Sequence, residues 1–274
     1  MMVHGLKREG ASKMDIDIIE ISERKAKFIL SGVSTAFANG LRRSILAEVP
    51  VLAIDDVNIY DNTSVLYDEQ LALRMGLIPL KADTSTYVLP EDCSCGGAGC
   101  ASCQVTLTLS AEGPKLVTSS ELVSTDPGVK PADDTVPIVE LKETHKVVVE
   151  AIARLGTGRN HAKWQAGVAS GYKKMPVITI GECDYCEKCV EACPRNVLEI
   201  NGNSIKAVNL LDCSMCNLCV EACDMDSIKV TEEDDSFVMT FETTGAMTAA
   251  ELAVEAVNTI KKKAGQLGEI LDTL

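Results

Sequence analysis

The stretch Cys183-Asp184-Tyr185-Cys186-Glu187-Lys188-Cys189-Val190-Glu191-Ala192-Cys193-Pro194 returns 30 residues later as Cys213-Ser214-Met215-Cys216-Asn217-Leu218-Cys219-Val220-Glu221-Ala222-Cys223-Asp224. Both copies space their cysteines as C-x2-C-x2-C-x3-C and close on Cys-Val-Glu-Ala-Cys. An apolar run follows each, Val197 to Ile200 and Ser227 to Val230. Twelve cysteines occur in all, and the remaining four form a group of their own at Cys93, Cys95, Cys100 and Cys103. Met1 to Lys13 is polar and carries no apolar signal region, and no run of eighteen apolar residues follows. The expectation is therefore an intracellular, cytoplasmic chain that does not enter the membrane. In that setting cysteines grouped in fours point to metal rather than to disulfides.

The two copies resemble the duplicated unit of bacterial-type ferredoxins. The resemblance implies two [4Fe-4S] clusters with crossed ligation, the fourth cysteine of each run serving the other cluster. One cluster then takes Cys183, Cys186, Cys189 and Cys223, and the other takes Cys193, Cys213, Cys216 and Cys219. Pro194 follows Cys193 as that pattern expects, whereas Asp224 stands where the second proline would be. The competing reading is a pair of zinc sites or a set of free thiols. A segment this short buries little core, so bound clusters would add folding free energy directly.

Cys93-Ser94-Cys95-Gly96-Gly97-Ala98-Gly99-Cys100-Ala101-Ser102-Cys103 is different, with two tight pairs flanking a glycine-rich turn. Four thiolates on such a knuckle suit a structural zinc and leave no open position for catalysis. Reduced thiols or disulfides are the alternative, and the spacing is less diagnostic than that of the repeat.

The 274 residues carry a net charge of -14, with 46% hydrophobic and 4% aromatic residues. The isoelectric point is near 4.7 and the mean hydropathy +0.10. This is globular composition. The acidic balance argues against direct nucleic-acid binding, which needs a surplus of Lys and Arg, and the few aromatics argue against stacking on single strands. No phosphate-binding loop or dinucleotide fingerprint occurs.

Alternation over Met14 to Leu30 predicts strands, with Ile16, Ile18, Ile21, Ala26, Phe28 and Leu30 as apolar positions. Ser34 can cap a helix that Pro50 ends, and Val51 to Tyr60 reads as a strand. A short helix is expected over Asp68 to Met75, stopping at Gly76. Residues 86–150 read as β-rich, with a loop from Ser124 to Pro137. Thr248 and Glu251 form a capping-box pattern. Ala253, Val257, Ile260, Ala264, Leu267, Leu271 and Leu274 then follow at steps of four and three. That seam fits a helix packed on its own domain and equally a helix facing another chain.

Residues 33–80 resemble the alpha-type assembly subunits of cellular RNA polymerases. The likeness rests on Phe37 to Leu46, Glu48-Val49-Pro50, Asn62 to Leu66, Asp68-Glu69 and Arg74 to Leu80. His161-Ala162-Lys163-Trp164-Gln165 adds a second match. The ferredoxin-like insert narrows the resemblance to the archaeal members of that family, some of which carry such a module. The resemblance implies an α+β chain in three parts. These are a discontinuous dimerisation domain (14–48 and 237–274), an inserted β-rich domain (49–176) holding the cysteine loop, and a ferredoxin-like domain (177–236). It implies a non-catalytic scaffold that pairs with a small L-type subunit and binds the second-largest subunit and small subunits N and P. The expected partner contacts are Asn39, Arg42 and Arg43, whose guanidiniums suit carboxylates, and Val257, Ile260, Leu267 and Leu271 on the last helix. No catalytic residue is expected, and His161 reads as a packed or hydrogen-bonded loop residue. The rival reading is an electron-transfer component of an oxidoreductase complex.

Overall fold

The computed structural model describes residues 13–202 and 204–273. The polar segment before Lys13 and the last seam position, Leu274, lie outside the described residues. In chain order the strands are β1 (Asp15–Ile21), β2 (Lys25–Ser31), β3 (Pro50–Asn62), β4 (Leu80–Lys81), β5 (Gln104–Glu112), β6 (Lys115–Thr118) and β7 (Val123–Ser124). They continue as β8 (Lys130–Pro131), β9 (Pro137–Leu141), β10 (Lys146–Thr157), β11 (Gly167–Ile180), β12 (Leu198–Ile200), β13 (Ile205–Ala207) and β14 (Ile228–Thr243). The helices are α1 (Thr35–Ala47), α2 (Asp68–Gly76), α3 (Lys188–Glu191), α4 (Leu218–Glu221) and α5 (Ala249–Asp272).

The chain divides into two compact units. One holds the described residues up to Ile19, Lys27–Asn39 and Tyr172–Met239. Most residues of the sheet ordered β1-β2-β14-β11 belong to it. Ile178, Ile180, Cys189, Leu198, Cys219 and Ile228 form a small apolar cluster within it. The alternation in β2 works as expected, burying Phe28 and Leu30. In β1 it does not. That strand lies at the sheet edge, and every one of its residues is exposed, isoleucines included.

The other unit holds Glu20–Ala26, Gly40–Gly171 and the chain from Thr240 onward. Its centre is an antiparallel sheet ordered β3-β10-β5-β7. Ala151 of β10 faces Val57 on one side and Leu107 on the other, and register shifts follow Val148 and Ile152 on the β3 side. Leu52, Ile54, Leu107, Leu109, Val149 and Ala153 turn into one continuous core, closed by Leu71 and Met75 of α2. The four-residue run Val51 to Ile54 is buried throughout, which strict alternation does not foresee. Gly76 is the last residue of α2, as expected, and Leu77 caps the helix in a right-handed conformation.

Caps read from sequence are formed. The Ser34 hydroxyl accepts from the Phe37 N–H at 3.3 Å. Thr248 Oγ1 accepts from the Glu251 N–H at 3.3 Å while Glu251 Oε2 accepts from the Thr248 N–H at 2.8 Å, the full reciprocal box. Gly156 has a packing reason: a Cβ there would sit 2.5 Å from the Trp164 ring.

Candidate functional site

The loop after the 3-10 turn Pro90–Asp92 brings four thiols together. Gly96, Gly97 and Gly99 take positive φ of 61°, 82° and 96°, a region costly for residues with a Cβ, and so fold the two cysteine pairs onto each other. Backbone N–H groups of Cys103 and Gln104 both donate to the Cys100 carbonyl, each at 3.0 Å, tightening the second pair. The sulfurs of Cys93 and Cys95 lie 3.4 Å apart, Cys93 and Cys100 3.6 Å, Cys95 and Cys103 3.6 Å, and Cys100 and Cys103 3.8 Å. A tetrahedral ion bonded to sulfur at about 2.3 Å holds its ligands roughly 3.8 Å apart. The donor set therefore fits one ion. Cys93 and Cys103 are buried, and Cys95 and Cys100 are half-buried.

Cys95 is lowered to about 6, first by its hydrogen bond with the Cys93 thiol and then by the Gly99 N–H. Cys103 is pushed up to about 11. The Cys100 N–H pulls it down, but burial together with the neighbouring thiols outweighs that pull. Four sulfurs this close share protons until a cation takes them all as thiolates.

The two cysteine repeats also repeat in backbone. Positive φ occurs at Tyr185, Glu187 and Asn196 and again at Met215, Asn217 and Asp226, each 30 residues on. The Tyr185 N–H donates to Cys183 Sγ at 3.3 Å, and the Met215 N–H to Cys213 Sγ at 3.4 Å. The Val197 N–H donates to Cys193 Sγ at 3.4 Å, and the Ser227 N–H to Cys223 Sγ at 3.3 Å. Helices α3 and α4 carry Cys189 and Cys219 as buried residues. Amide donors aimed at sulfur stabilise thiolate and tune any metal it binds.

The grouping of these eight thiols crosses the repeats. Cys193, Cys213, Cys216 and Cys219 wall one small cavity, backed by Ile178, Leu198 and Val230. Burial pushes the Cys219 thiol up, and the charges of Cys193 and Cys213 push the same way. Burial likewise raises Cys189, reinforced by the charges of Cys183, Cys223 and Cys186. Each buried thiol thus has its own copy's leading cysteines and the other copy's last cysteine for neighbours. Among the described residues, the group of ligating atoms gathered within 4.8 Å of one another is Cys93, Cys95, Cys100 and Cys103.

The residues expected to meet partners sit on two helices. Asn39 and Arg42 are half-buried on α1, and Arg43 is exposed. The buried Ser44 hydroxyl donates to the Ala256 carbonyl at 2.8 Å, fastening α1 to α5. Glu48 pairs with Lys263 beside this contact. Helix α5 buries Ala249, Leu252 and Ala256 and leaves Ile260 half-buried. Its apolar residues beyond are open, with Val257 46%, Leu267 58%, Ile270 60% and Leu271 58% exposed.

His161 is a turn residue: its Nδ1 accepts from the Lys163 N–H at 3.1 Å. Sequence reasoning missed the network behind it. Lys163 Nζ reaches Asp55 Oδ1 at 2.6 Å and lies 4.3 Å over the Trp164 ring. Arg154 pairs with Asp55 at 3.0 Å and Asp56 at 2.8 Å, and its carbonyl accepts from Trp164 Nε1 at 3.0 Å. Burial raises Asp55, but Lys163 and then Arg154 more than offset it and hold the carboxyl below its ordinary value. Only the acidic pair beside an alternating strand hinted at this.

No helix among the described residues is long and apolar enough to cross a membrane. A profile of the RNA polymerase Rpb3/RpoA insert domain matches residues 57–177. The chain is 55% identical to DNA-directed RNA polymerase subunit Rpo3 of Methanosarcina acetivorans over 264 residues, which cover 95% of this chain and 99% of that one. The Rpo3 of Methanosarcina mazei is 54% identical with the same coverage. That of Archaeoglobus fulgidus is 44% identical over 261 residues, 95% of this chain and 98% of that one. Likeness over the whole chain does not favour the electron-transfer reading. With its β-rich insert and its end-to-end similarity to these subunits, the chain belongs to the Rpo3 family, the alpha-type subunits of archaeal DNA-directed RNA polymerase.

Proposed function

We propose that this chain is a non-catalytic assembly scaffold of a cytoplasmic archaeal RNA polymerase. It pairs with a small L-type subunit through α5 and α1, and the pair recruits the second-largest subunit and the small subunits N and P. The observation that carries this reading is α5 itself. A helix of 24 residues spends one face on its own unit, at Ala249, Leu252 and Ala256, and leaves Val257, Leu267, Ile270 and Leu271 open to water. Exposed apolar residues at helical spacing are the mark of a helix whose second partner is another chain. Asn39, Arg42 and Arg43 of α1 supply polar contacts at the rim, where guanidiniums meet carboxylates.

In domain terms, 14–48 and 237–274 form the dimerisation domain, 49–176 the inserted domain and 177–236 the ferredoxin-like domain. The last holds two [4Fe-4S] clusters, one on Cys183, Cys186, Cys189 and Cys223, the other on Cys193, Cys213, Cys216 and Cys219. The repeated amide-to-sulfur hydrogen bonds support this assignment. When bound, the clusters supply cross-links between the repeats and a one-electron redox couple. Cys93, Cys95, Cys100 and Cys103 hold one structural zinc. The clusters act in folding or redox sensing rather than in polymerisation, so their loss weakens assembly first.

The test is anaerobic purification of the tagged chain from its own cells, with mass spectrometry of what accompanies it. Recovery of polymerase subunits, a small L-type partner among them, is expected. Recovery of dehydrogenase or reductase components without polymerase would overturn the reading. In a Cys183→Ser, Cys213→Ser variant, assembly is expected to fall before specific activity does. Normal assembly of a cluster-free variant would remove the structural role.

A further inference from the structure

The two cysteine copies match in spacing and backbone, but the charges set against them do not. At the second copy, the segment leading into Cys213 is clasped by lysines from two strands. Lys173 of β11 donates from Nζ to the Leu211 carbonyl at 2.6 Å and to the Cys213 carbonyl at 2.5 Å. Lys27 of β2 pairs with Asp212 at 3.7 Å, so that carboxylate has a cation of its own. Arg195 lines the cavity walled by Cys193, Cys213, Cys216 and Cys219. Cys213 is buried, and the Lys173 ammonium is half-buried against its carbonyl. At the first copy, neutral groups hold the segment before Cys183. The Ser227 hydroxyl donates to the Glu182 carbonyl, and the Gly181 N–H donates to the Ser227 carbonyl at 2.8 Å. A cation on that side, Lys188, is exposed and paired with Asp224. Its charge is offset by the carboxylate and screened by water.

We infer that Lys173 is a positioning and charge-setting residue that makes the two thiolate sites inequivalent, raising the reduction potential of the Cys193, Cys213, Cys216, Cys219 site. The inference rests on the iron–sulfur reading above. Two hydrogen bonds from one ammonium fix the main chain on either side of Asp212, so the first ligand of this set is held from strand β11. The same ammonium places a positive charge beside thiolates that become more negative when one electron is added. A fixed cation in a partly buried place favours that added charge far more than a solvated one does. The reaction is the addition of one electron from a low-potential one-electron donor, with no bond made or broken. The module therefore takes up charge in a set order, second site first.

The experiment uses the full-length chain, reconstituted anaerobically with iron and sulfide and titrated with dithionite. Spectra and iron content are read at each potential. A Cys186→Ser background leaves the second ligand set intact, and Lys173→Met and Lys173→Arg are compared within it. Lys173→Met is expected to shift the remaining one-electron equilibrium by about tenfold toward the oxidised form, about 59 mV lower at n = 1. Lys173→Arg, which keeps the charge, is expected to restore most of it. Far-UV circular dichroism checks that each variant is folded. If Lys173→Met fails to fold, Lys173→Gln is titrated in its place. Unchanged potential in a loaded Lys173→Met or Lys173→Gln chain overturns the role of Lys173 and leaves the cluster reading standing. An unsubstituted chain that takes up no iron and sulfide overturns the cluster reading, and this inference with it.

Discussion

Leu252→Ala and Leu267→Ala delete the same atoms from α5 and are expected to act on different equilibria. Leu252 is 0% exposed, inside its own unit. Truncating a buried leucine loses its transfer free energy and leaves a cavity, about 2–5 kcal/mol together. With a urea slope of about 1–3 kcal/mol per molar, the midpoint falls by roughly 1–2 M. Leu267 is 58% exposed. Its truncation is expected to change the stability of the isolated chain by no more than about 0.5 kcal/mol. Once a partner covers it, the exposed part of the side chain contributes about 1–2 kcal/mol. Leu267→Ala is then expected to weaken partner binding by about tenfold, with the folding midpoint unmoved. Urea unfolding followed by circular dichroism reads the first equilibrium, and calorimetric titration with the small partner subunit reads the second. A Leu267→Ala midpoint as low as that of Leu252→Ala would mean the exposed face is already engaged within the chain. An unchanged Kd in a Val257→Ala, Leu267→Ala, Leu271→Ala variant would refute the pairing surface itself.

Gly156→Ala forces a Cβ to within 2.5 Å of the Trp164 ring, an overpacking expected to cost about 1–3 kcal/mol. The emission of this sole tryptophan should shift to the red as the ring is displaced. Thr248→Ala removes the acceptor of the capping box and is expected to cost about 0.5–2 kcal/mol in urea unfolding. On the proposed zinc site, Cys103→Ser is expected to lower bound zinc from one equivalent toward none, read by elemental analysis after dialysis against a chelator. Tyr87 is pushed up to about 12, by burial first and then by its hydrogen bond to Asp126, from an ordinary value of 10.0. The unfolded chain therefore loses this proton first, and the stability the pair provides is intact below pH 10 and lost as pH rises toward 12. Asp126 is held below its ordinary value by the Tyr87 hydroxyl and the Gly128 N–H. Its share is present above the ordinary carboxylate value and is lost as pH falls through the lower folded value. Tyr87→Phe should flatten the alkaline limb of a plot of thermal midpoint against pH.

What could be read in the sequence was what short-range chemistry dictates. Ser34 and Thr248 cap helices because a hydroxyl reaches an N–H three residues on, and that needs no tertiary information. The repeat was legible because its cysteine spacing recurs unchanged 30 residues on. Its left-handed residues were only half legible. Asn196, Asn217 and Asp226 tolerate positive φ, whereas Tyr185, Glu187 and Met215 carry no such signal and are held there by the fold. The fate of β1 was hidden, because alternation marks a strand but does not say whether another layer covers it. The heptad seam of α5 was ambiguous for the same reason. Its first turns spend the neighbouring face, Ala249, Leu252 and Ala256, on the home unit, and the seam residues Val257, Leu267 and Leu271 stay exposed. The Asp55, Arg154 and Lys163 network joins residues about a hundred positions apart, and only the acidic pair Asp55-Asp56 marks it locally.

The two kinds of thiol site differ in what they hold together. Cys93 to Cys103 is one loop, so an ion bound there closes a ring of eleven residues that the glycine turn has already nearly closed. Little chain entropy is left for the ion to remove, and its loss should loosen the loop while the core of β5 and β10 stands. On the proposed crossed ligation, each cluster instead ties Cys193 or Cys223 to thiols of the other copy. Each cross-link spans a longer stretch of chain, in a segment whose apolar cluster is small. The metal then carries a larger share of the folding free energy, because closure of a longer loop costs more and less burial is available to offset it. Chelation of zinc and loss of the clusters should therefore separate in their effects. The first should act locally on the 88–104 region. The second should unfold the repeats together, through β12, β13 and the start of β14, whose residues Leu198, Ile205 and Ile228 make up that small core.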